Sequence, residues 1–362
     1  MTEIIKDRSM IDDKYKWDLT KVYKTNADFE NDCEKVKNLI TEYRKKYENH
    51  TMDNAKIFYD SIVDELEIER LLEKLYSYSN LKKDEDVANT ENQELRSKVV
   101  NLYDYASKNM FFTSTEMLKK DYSLIEDFYK EEPRLLEHEN NLKDSFRYKK
   151  YMLSDEEEKL LSNISKAFGN DEETYGYLVD SDMTFGEIKD ENGNMVELTD
   201  TNYSVYIESK NRSVRKAAFE SLYNHYKQFK NTITSLFNGS INESVSMAKL
   251  RGYPSAFLAS LYKDDMKESV YNTLVDTIHS NLDVYQKYYE LKKEVLNLDE
   301  LHLYDIYTPM IDEGGKKYSF EEAKEMVLNA LSVLGDDYIN NFKKIFDEKW
   351  VDVYPNKNKR GG

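Results

Sequence analysis

One cysteine, four prolines and eleven glycines are few for a chain of 362 residues. A single thiol, Cys33, excludes an intrachain disulfide and reads as a partly buried helix residue. So little proline and glycine points to long helices with few turns. Basic blocks are missing too: 52 Lys and Arg stand against 70 Asp and Glu, a formal charge of −18. A nucleic-acid binder needs a basic surface to displace counterions, so that class is excluded. No apolar run approaches the ~20 residues of a membrane span, and no secretory hydrophobic region follows Met1. The expectation is a cytoplasmic protein with no membrane or nucleic-acid partner. The histidines are His50, His138, His225, His279 and His302, and no two lie four apart. No helix turn therefore presents the paired imidazoles of a His-Glu-x-x-His metal site. His138-Glu139 opens that pattern but position 142 is leucine, and His279 reads as a structural histidine beside an apolar row. Nucleophile-elbow and phosphate-loop sequences are absent as well. No catalytic and no metal-ligating residue is assigned.

What is abundant is helix periodicity, together with thirty tyrosines suited to groove and core positions with a wet hydroxyl. Val214, Ala218, Leu222, Tyr226, Phe229, Ile233 and Leu236 recur every three or four residues, so they share one helical face. Ser209 or Ser213 can cap that helix, and a run from Val214 to Leu250 would span roughly 55 Å. Its weak point is Asn238-Gly239-Ser240, where glycine costs about 1 kcal/mol against alanine. Gly252 and Pro254 stop it, and Ser255 starts a short helix through Tyr262.

Ahead of that helix, Trp17 and Leu19 can plug an apolar surface. Helical segments follow from Asn26 to about Ser123, with apolar rows through Ile57, Ile62, Leu72 and Leu75 and through Leu95, Val99, Leu102 and Ala106. They read as an antiparallel bundle. Ser154 and Glu157 form a capping box before Leu160 and Leu161. The one convincing β signal flanks Asp190-Glu191-Asn192-Gly193-Asn194, where Asn-Gly supplies a tight hairpin turn. A further helix is expected from Lys267 to Leu301. After a polar loop with Gly314-Gly315, a helix capped by Ser319 and Glu322 runs to Leu334. Trp350 to Tyr354 alternates like a strand. The fold class is mainly α, with one hairpin.

Several stretches resemble one family. They are Trp17-Asp18-Leu19, Leu153-Ser154-x-x-Glu157-Glu158, and Asn211-Arg212-x-x-Arg215 with Arg251-Gly252-Tyr253-x-Ser255-Ala256 beyond a long helical run. The most specific is Leu301-His302-x-Tyr304-Asp305-x-Tyr307-x-Pro309. Together they are similar to the oligoendopeptidase F branch of the thimet-type zinc metallopeptidases. The resemblance implies a helical bundle lobe over 1–123, an oligopeptidase F-type amino-terminal domain with the hairpin over 124–200, and the opening half of a helical catalytic domain over 201–362.

It also implies hydrolysis of internal bonds of short peptides in a deep channel. The zinc of a complete family member is held by the two histidines of His-Glu-x-x-His and by a glutamate of a following helix, and the glutamate within the motif activates water. The stretch from Asp352-x-Tyr354 to Lys359-Arg360-Gly361-Gly362 is similar to one that precedes that zinc helix in the family. The chain is therefore expected to be the front portion of such an enzyme, with no zinc bound and no activity alone. Tyr304, Tyr307, Tyr354, Gly361 and Gly362 are the candidate channel residues, and the Trp350–Gly362 strand would pair with an extended peptide. The alternative is a non-catalytic helical peptide-binding or scaffold protein.

Overall fold

A computed structural model of the chain describes residues 7–164, 168–311 and 318–360. Its helices open with α1 (Asn26–Tyr47), α2 (Ala55–Glu85), α3 (Thr90–Met110), α4 (Phe112–Leu118) and α5 (Tyr122–Glu131). There follow α6 (Glu139–Arg147), α7 (Asp155–Ile164) and α8 (Asn170–Tyr177), then strands β1 (Glu187–Lys189) and β2 (Met195–Glu197). The second half holds α9 (Asp200–Ile207), α10 (Arg212–Gln228), α11 (Lys230–Leu250) and α12 (Ala256–Lys263). Last come α13 (Glu268–Ser280), α14 (Leu282–Val295), α15 (Phe320–Leu331) and α16 (Asp336–Asp347). Among the described residues no helix is long and apolar enough to cross a membrane. The chain divides into two compact units: Leu19–Thr174 with Asn238–Ala259, and Met1–Asp18 with Tyr175–Phe237 and Ser260–Gly362.

The first unit is built on α1, α2 and α3, which pack on one another. Thr25 begins α1 with a reciprocal cap to Asp28, and Asn54 and Asn89 cap α2 and α3, so each start has partners for its free N–H groups. Phe29, Val36 and Ile40 of α1 and Leu72, Leu75 and Tyr78 of α2 are all buried, and the two helices pack on each other. Tyr23, Phe29 and Tyr78 form an aromatic cluster with ring centres 5.0–5.6 Å apart, Tyr23 meeting the other two edge-on. A second cluster joins Ala55 and Phe58 to Met117, Leu118, Ile125, Phe128, Leu135 and Leu142. The Ser154–Glu157 capping box forms as the sequence suggests, with the Ser154 amide donating to Glu157 Oε2 at 2.9 Å.

In the second unit the hairpin pairs Ile188 with Val196, and both point inward. Their side chains join Met183, Phe185, Leu198, Ala218 and Leu222 in one core under α10. Gly193 sits at φ +82°, and Asp190 Oδ1 accepts the amides of Asn192 and Asn194 at 2.8 Å. Nothing lies within 4 Å of where a Cβ on Gly193 would stand, so any cost of substitution there is backbone strain alone. Gly193→Val is expected to lower stability by about 1–2 kcal/mol. Urea denaturation checks it, and an unchanged midpoint would contradict the turn.

The long helix anticipated from Val214 to Leu250 is broken at Phe229, not at Asn238-Gly239-Ser240. Phe229 has φ −99° and ψ 11°, and its amide turns back to Tyr226 O at 3.1 Å. The bend keeps its ring against the hairpin core, where Tyr226 also packs. Gly239 lies inside α11, and a Cβ there would fall 1.9 Å from the Asp171 carboxylate, so the glycine is a close approach and not a hinge. The cap is Asn211, which accepts from the Ser213 amide, and neither Ser209 nor Ser213 takes that role. The stop at Gly252 forms as expected, with φ +77° and Tyr253 N–H on Ala248 O at 2.9 Å.

The helix expected from Lys267 to Leu301 is likewise two, α13 and α14, parted at Asn281 (φ −115°, ψ 14°). Ser319 and Glu322 cap α15 reciprocally, and the Gly314-Gly315 loop lies outside the described residues. His279 is exposed and not a core histidine, because the apolar faces of α13 and α14, such as Leu274 and Tyr285, are themselves open.

Trp350–Tyr354 is extended but is not a strand. Asp18 N–H donates to Lys349 O and Val353 N–H to Tyr15 O, yet between them the Trp17 amide is taken by the Asp352 carboxylate at 3.3 Å. A side chain has captured the donor that a ladder would need. Arg8 Nη2 and Lys359 Nζ reach the same carboxylate at 2.6 Å each, so Asp352 fastens the amino-terminal segment to the carboxy-terminal one.

Candidate functional site around Asp305

Two of the family-like stretches lie about ninety residues apart in the chain and meet at one buried carboxylate. Asp305 ends a short 3-10 turn, Leu303–Asp305, and is fully buried. Its Oδ2 accepts the His302 amide at 2.9 Å, closing its own turn. The first turn of α10 supplies the cations, because Asn211 starts the helix and leaves Arg212 and Arg215 three apart on one face.

Arg212 donates through Nε to Oδ1 at 3.2 Å and through Nη2 to Oδ2 at 2.9 Å. Arg215 donates to Oδ1 through Nε at 2.9 Å and contacts it through Nη2 at 2.7 Å. Arg215 Nη1 also donates to the carbonyls of Ser209 and Lys210, and Arg212 Nη2 to that of Glu300. Burial pushes the Asp305 carboxyl upward. The hydrogen bonds from Arg212, His302 and Arg215, with the charge of Arg215, outweigh that and hold it below the usual carboxylate value.

Lys292 of α14 completes the node. It is 4% exposed, and its Nζ donates to the carbonyl of Ile306. Burial, then the nearby charge of Arg215, lowers its pKa below the ordinary lysine value. Thr308 is also buried, and its Oγ1 has no hydrogen-bond partner among the described residues. The segment from His302 to Thr308 is thus pinned from α10 through Asp305 and from α14 through Lys292.

Tyr304, a candidate channel residue, is buried. It is 9% exposed, stacks on His302 with ring centres 5.0 Å apart, and meets Phe219 edge-on at 6.0 Å. The Arg212 guanidinium lies 5.4 Å from the centre of its ring. Tyr307 is on the other side of the same turn and is 63% exposed. Tyr354 is partly exposed, edge-on to Tyr15 at 4.8 Å, in the segment held by Asp352 and not beside Asp305. Gly361 and Gly362 lie outside the described residues. Residue reading missed Arg212, Arg215, Asp305 and Lys292 as one unit. The charged positions inside the quoted stretches were the available signal, and nothing in the sequence says that they pair.

Chemically, the node holds and does not react. Both Asp305 oxygens are saturated by donors, which leaves no lone pair free to act as a base. Among the described residues no group of three His, Cys, Asp or Glu is placed to hold a metal ion. A catalytic zinc requires three such ligands converging on one point, a set that the described residues do not bring together.

Comparison with known proteins agrees with these stretches. The model of peptidase family M3 matches residues 205–362, which include the whole Asp305 node, and that of oligopeptidase F matches residues 116–185. Oligopeptidase PepF of Bacillus subtilis is 34% identical over 356 residues, covering 98% of this chain and 53% of its own length. Group B oligopeptidase PepB of Streptococcus agalactiae is 33% identical, over 98% of this chain and 59% of its own. The crystal structure of oligoendopeptidase-F from Enterococcus faecium superposes with a TM-score of 0.76 at 33% identity, covering 89% of this chain and 60% of that one. The chain thus spans between about half and three-fifths of the length of these relatives. Matched sequence along nearly its whole length, with a shared helical fold, places it in the oligoendopeptidase F branch of peptidase family M3.

Proposed function

We propose that this chain supplies peptide-contacting surface to a zinc-dependent oligoendopeptidase that cuts internal bonds of short peptides, and that by itself it neither holds the zinc nor cleaves. In this reading residues 1–123 and 124–200 are the helical lobe and its adjoining domain, and 201–362 opens the catalytic domain. The observation that carries it is the Asp305 node. It fixes the backbone of His302–Thr308 and leaves Leu303 and Tyr307 exposed by 65% and 63% on an otherwise pinned segment. Large apolar and aromatic side chains on a rigid support are what a peptide-binding wall needs, since little ordering entropy is then lost on binding.

Two measurements test this. The dialysed chain is expected to hold no stoichiometric zinc and to leave a quenched oligopeptide uncut. One tightly bound zinc per chain, with cleavage that a chelator abolishes, would overturn that part. A short neutral peptide is expected to bind the chain, and Tyr307→Ala to weaken it roughly tenfold, the loss of one aromatic contact. Binding indifferent to Tyr307 would remove this segment from the wall. The second reading, a non-catalytic peptide-binding or scaffold protein, rests on the same exposed residues.

A further inference from the structure

The first unit carries a groove that the peptidase reading does not use. It has a volume of about 610 Å³ and runs along one stripe of α2 from Tyr59 to Lys74, walled by Lys35 of α1 and by Glu137 and His138. Its floor is apolar. Val63 and Leu66 remain 41% and 39% exposed although α2 buries its opposite side in the bundle core. Positions 59, 63, 66, 70 and 74 follow steps of three and four, so they form one continuous ridge.

The groove is lined by Lys35, Arg70 and Lys74 against Glu67 and Glu137, one cation in excess in a chain whose net charge is −18. Arg70 has no hydrogen-bond or ion-pair partner among the described residues. Lys35 is only loosely engaged, 3.9 Å from Glu67, and Arg134, itself paired with Glu132 at 2.6 Å, stacks 4.2 Å over Tyr59 at one end. Lys74 is held to Asp32 at 3.0 Å at the other. Desolvating an apolar strip beside the Arg70 guanidinium favours a ligand that brings both apolar side chains and a carboxylate.

We propose that this groove docks an acidic peptide segment, with leucine-like side chains on the Tyr59–Val63–Leu66 floor and a carboxylate on Arg70. The surface lies within Leu19–Thr174, and its occupancy is read by binding, so the test is independent of any peptidase activity. The probe is a short fluorescein-labelled peptide of Leu, Glu and Ala, with a Leu, Lys and Ala counterpart as control, titrated against the full chain. Expected are saturable anisotropy for the acidic peptide, weakening with salt, and amide shifts confined to α2 and its neighbours. Arg70→Glu and Val63→Asp, both exposed and outside the core, should each weaken binding roughly tenfold, about 1.4 kcal/mol. Equal binding of the lysine peptide, shifts elsewhere in the chain, or affinity unchanged by both variants would overturn the proposal. So would a concentration-dependent dimer abolished by Arg70→Glu, since the groove would then be filled by a second copy of this chain.

Discussion

Asp305→Ala is expected to cost about 3–5 kcal/mol, because it strands Arg215, only 3% exposed, as a buried cation without its carboxylate. Arg212 is more open and loses less. Thermal and urea unfolding measure the effect. A loss below about 1 kcal/mol would mean that the node does not hold the His302–Thr308 segment. Replacing both partners, Arg215→Met with Asp305→Leu, should be milder than Asp305→Ala alone, since the penalty lies in the unpaired charge and not in the lost pair. The pH dependence has a definite sign. The Asp305 carboxyl lies below its ordinary value when folded, so its contribution is complete above the unfolded carboxylate pKa of about 3.9. It is lost as pH falls through the lower folded value. Wild type and Asp305→Ala should therefore converge in stability under strongly acid conditions.

Glu65→Gln is expected to do the reverse and stabilise the protein. Glu65 of α2 is held in the bundle, with Tyr43 O–H donating to its Oε2 at 3.4 Å and Thr113 bonded to that hydroxyl at 3.0 Å. Burial, then the like charge of Glu69, pushes its pKa up to about 7, and the Tyr43 hydrogen bond offsets only part of this. A carboxyl raised on folding stabilises fully below its unfolded value of about 4.5 and loses that advantage as pH rises toward the folded one. At pH 8 the native chain carries the whole cost of an ionised, poorly solvated group. Glu65→Gln, similar in shape and uncharged, should gain about 1–3 kcal/mol there and nothing at pH 4. A pH-independent difference between the two proteins would show that the gain comes from packing instead.

Both effects were hidden in the sequence, for different reasons. Glu65 falls among apolar residues of α2, but helix period alone cannot say whether an interleaved glutamate faces water or Tyr43. Asp305 was quoted as part of a family-like stretch, yet its partners lie 90 and 93 residues earlier. Local periodicity reports the face of one helix, not which faces meet. Tyr304 and Tyr307 show the same limit at close range. Three residues apart on a tight turn, one is buried against Phe219 and the other is open. The anticipated strand at Trp350–Tyr354 failed because alternation was read without the carboxylate of Asp352, which takes the donor a ladder needs.

What the sequence by itself determined is what depends on neighbours a few residues away. The helical class, the capping boxes at Ser154 and Ser319, the turn at Gly193 and the stop at Gly252 all follow from backbone conformation and short-range hydrogen bonds. The missing pair of histidines four apart is equally a local fact. Tertiary structure alone decided where long helices break, at Phe229, whose ring packs on the hairpin core, and at Asn281. It decided that Gly239 is a contact with Asp171, and that Arg212, Arg215 and Lys292 converge on the Asp305 turn. Long-range pairing is set by how whole helices dock, and that energy is spread over many side chains rather than written at any one position.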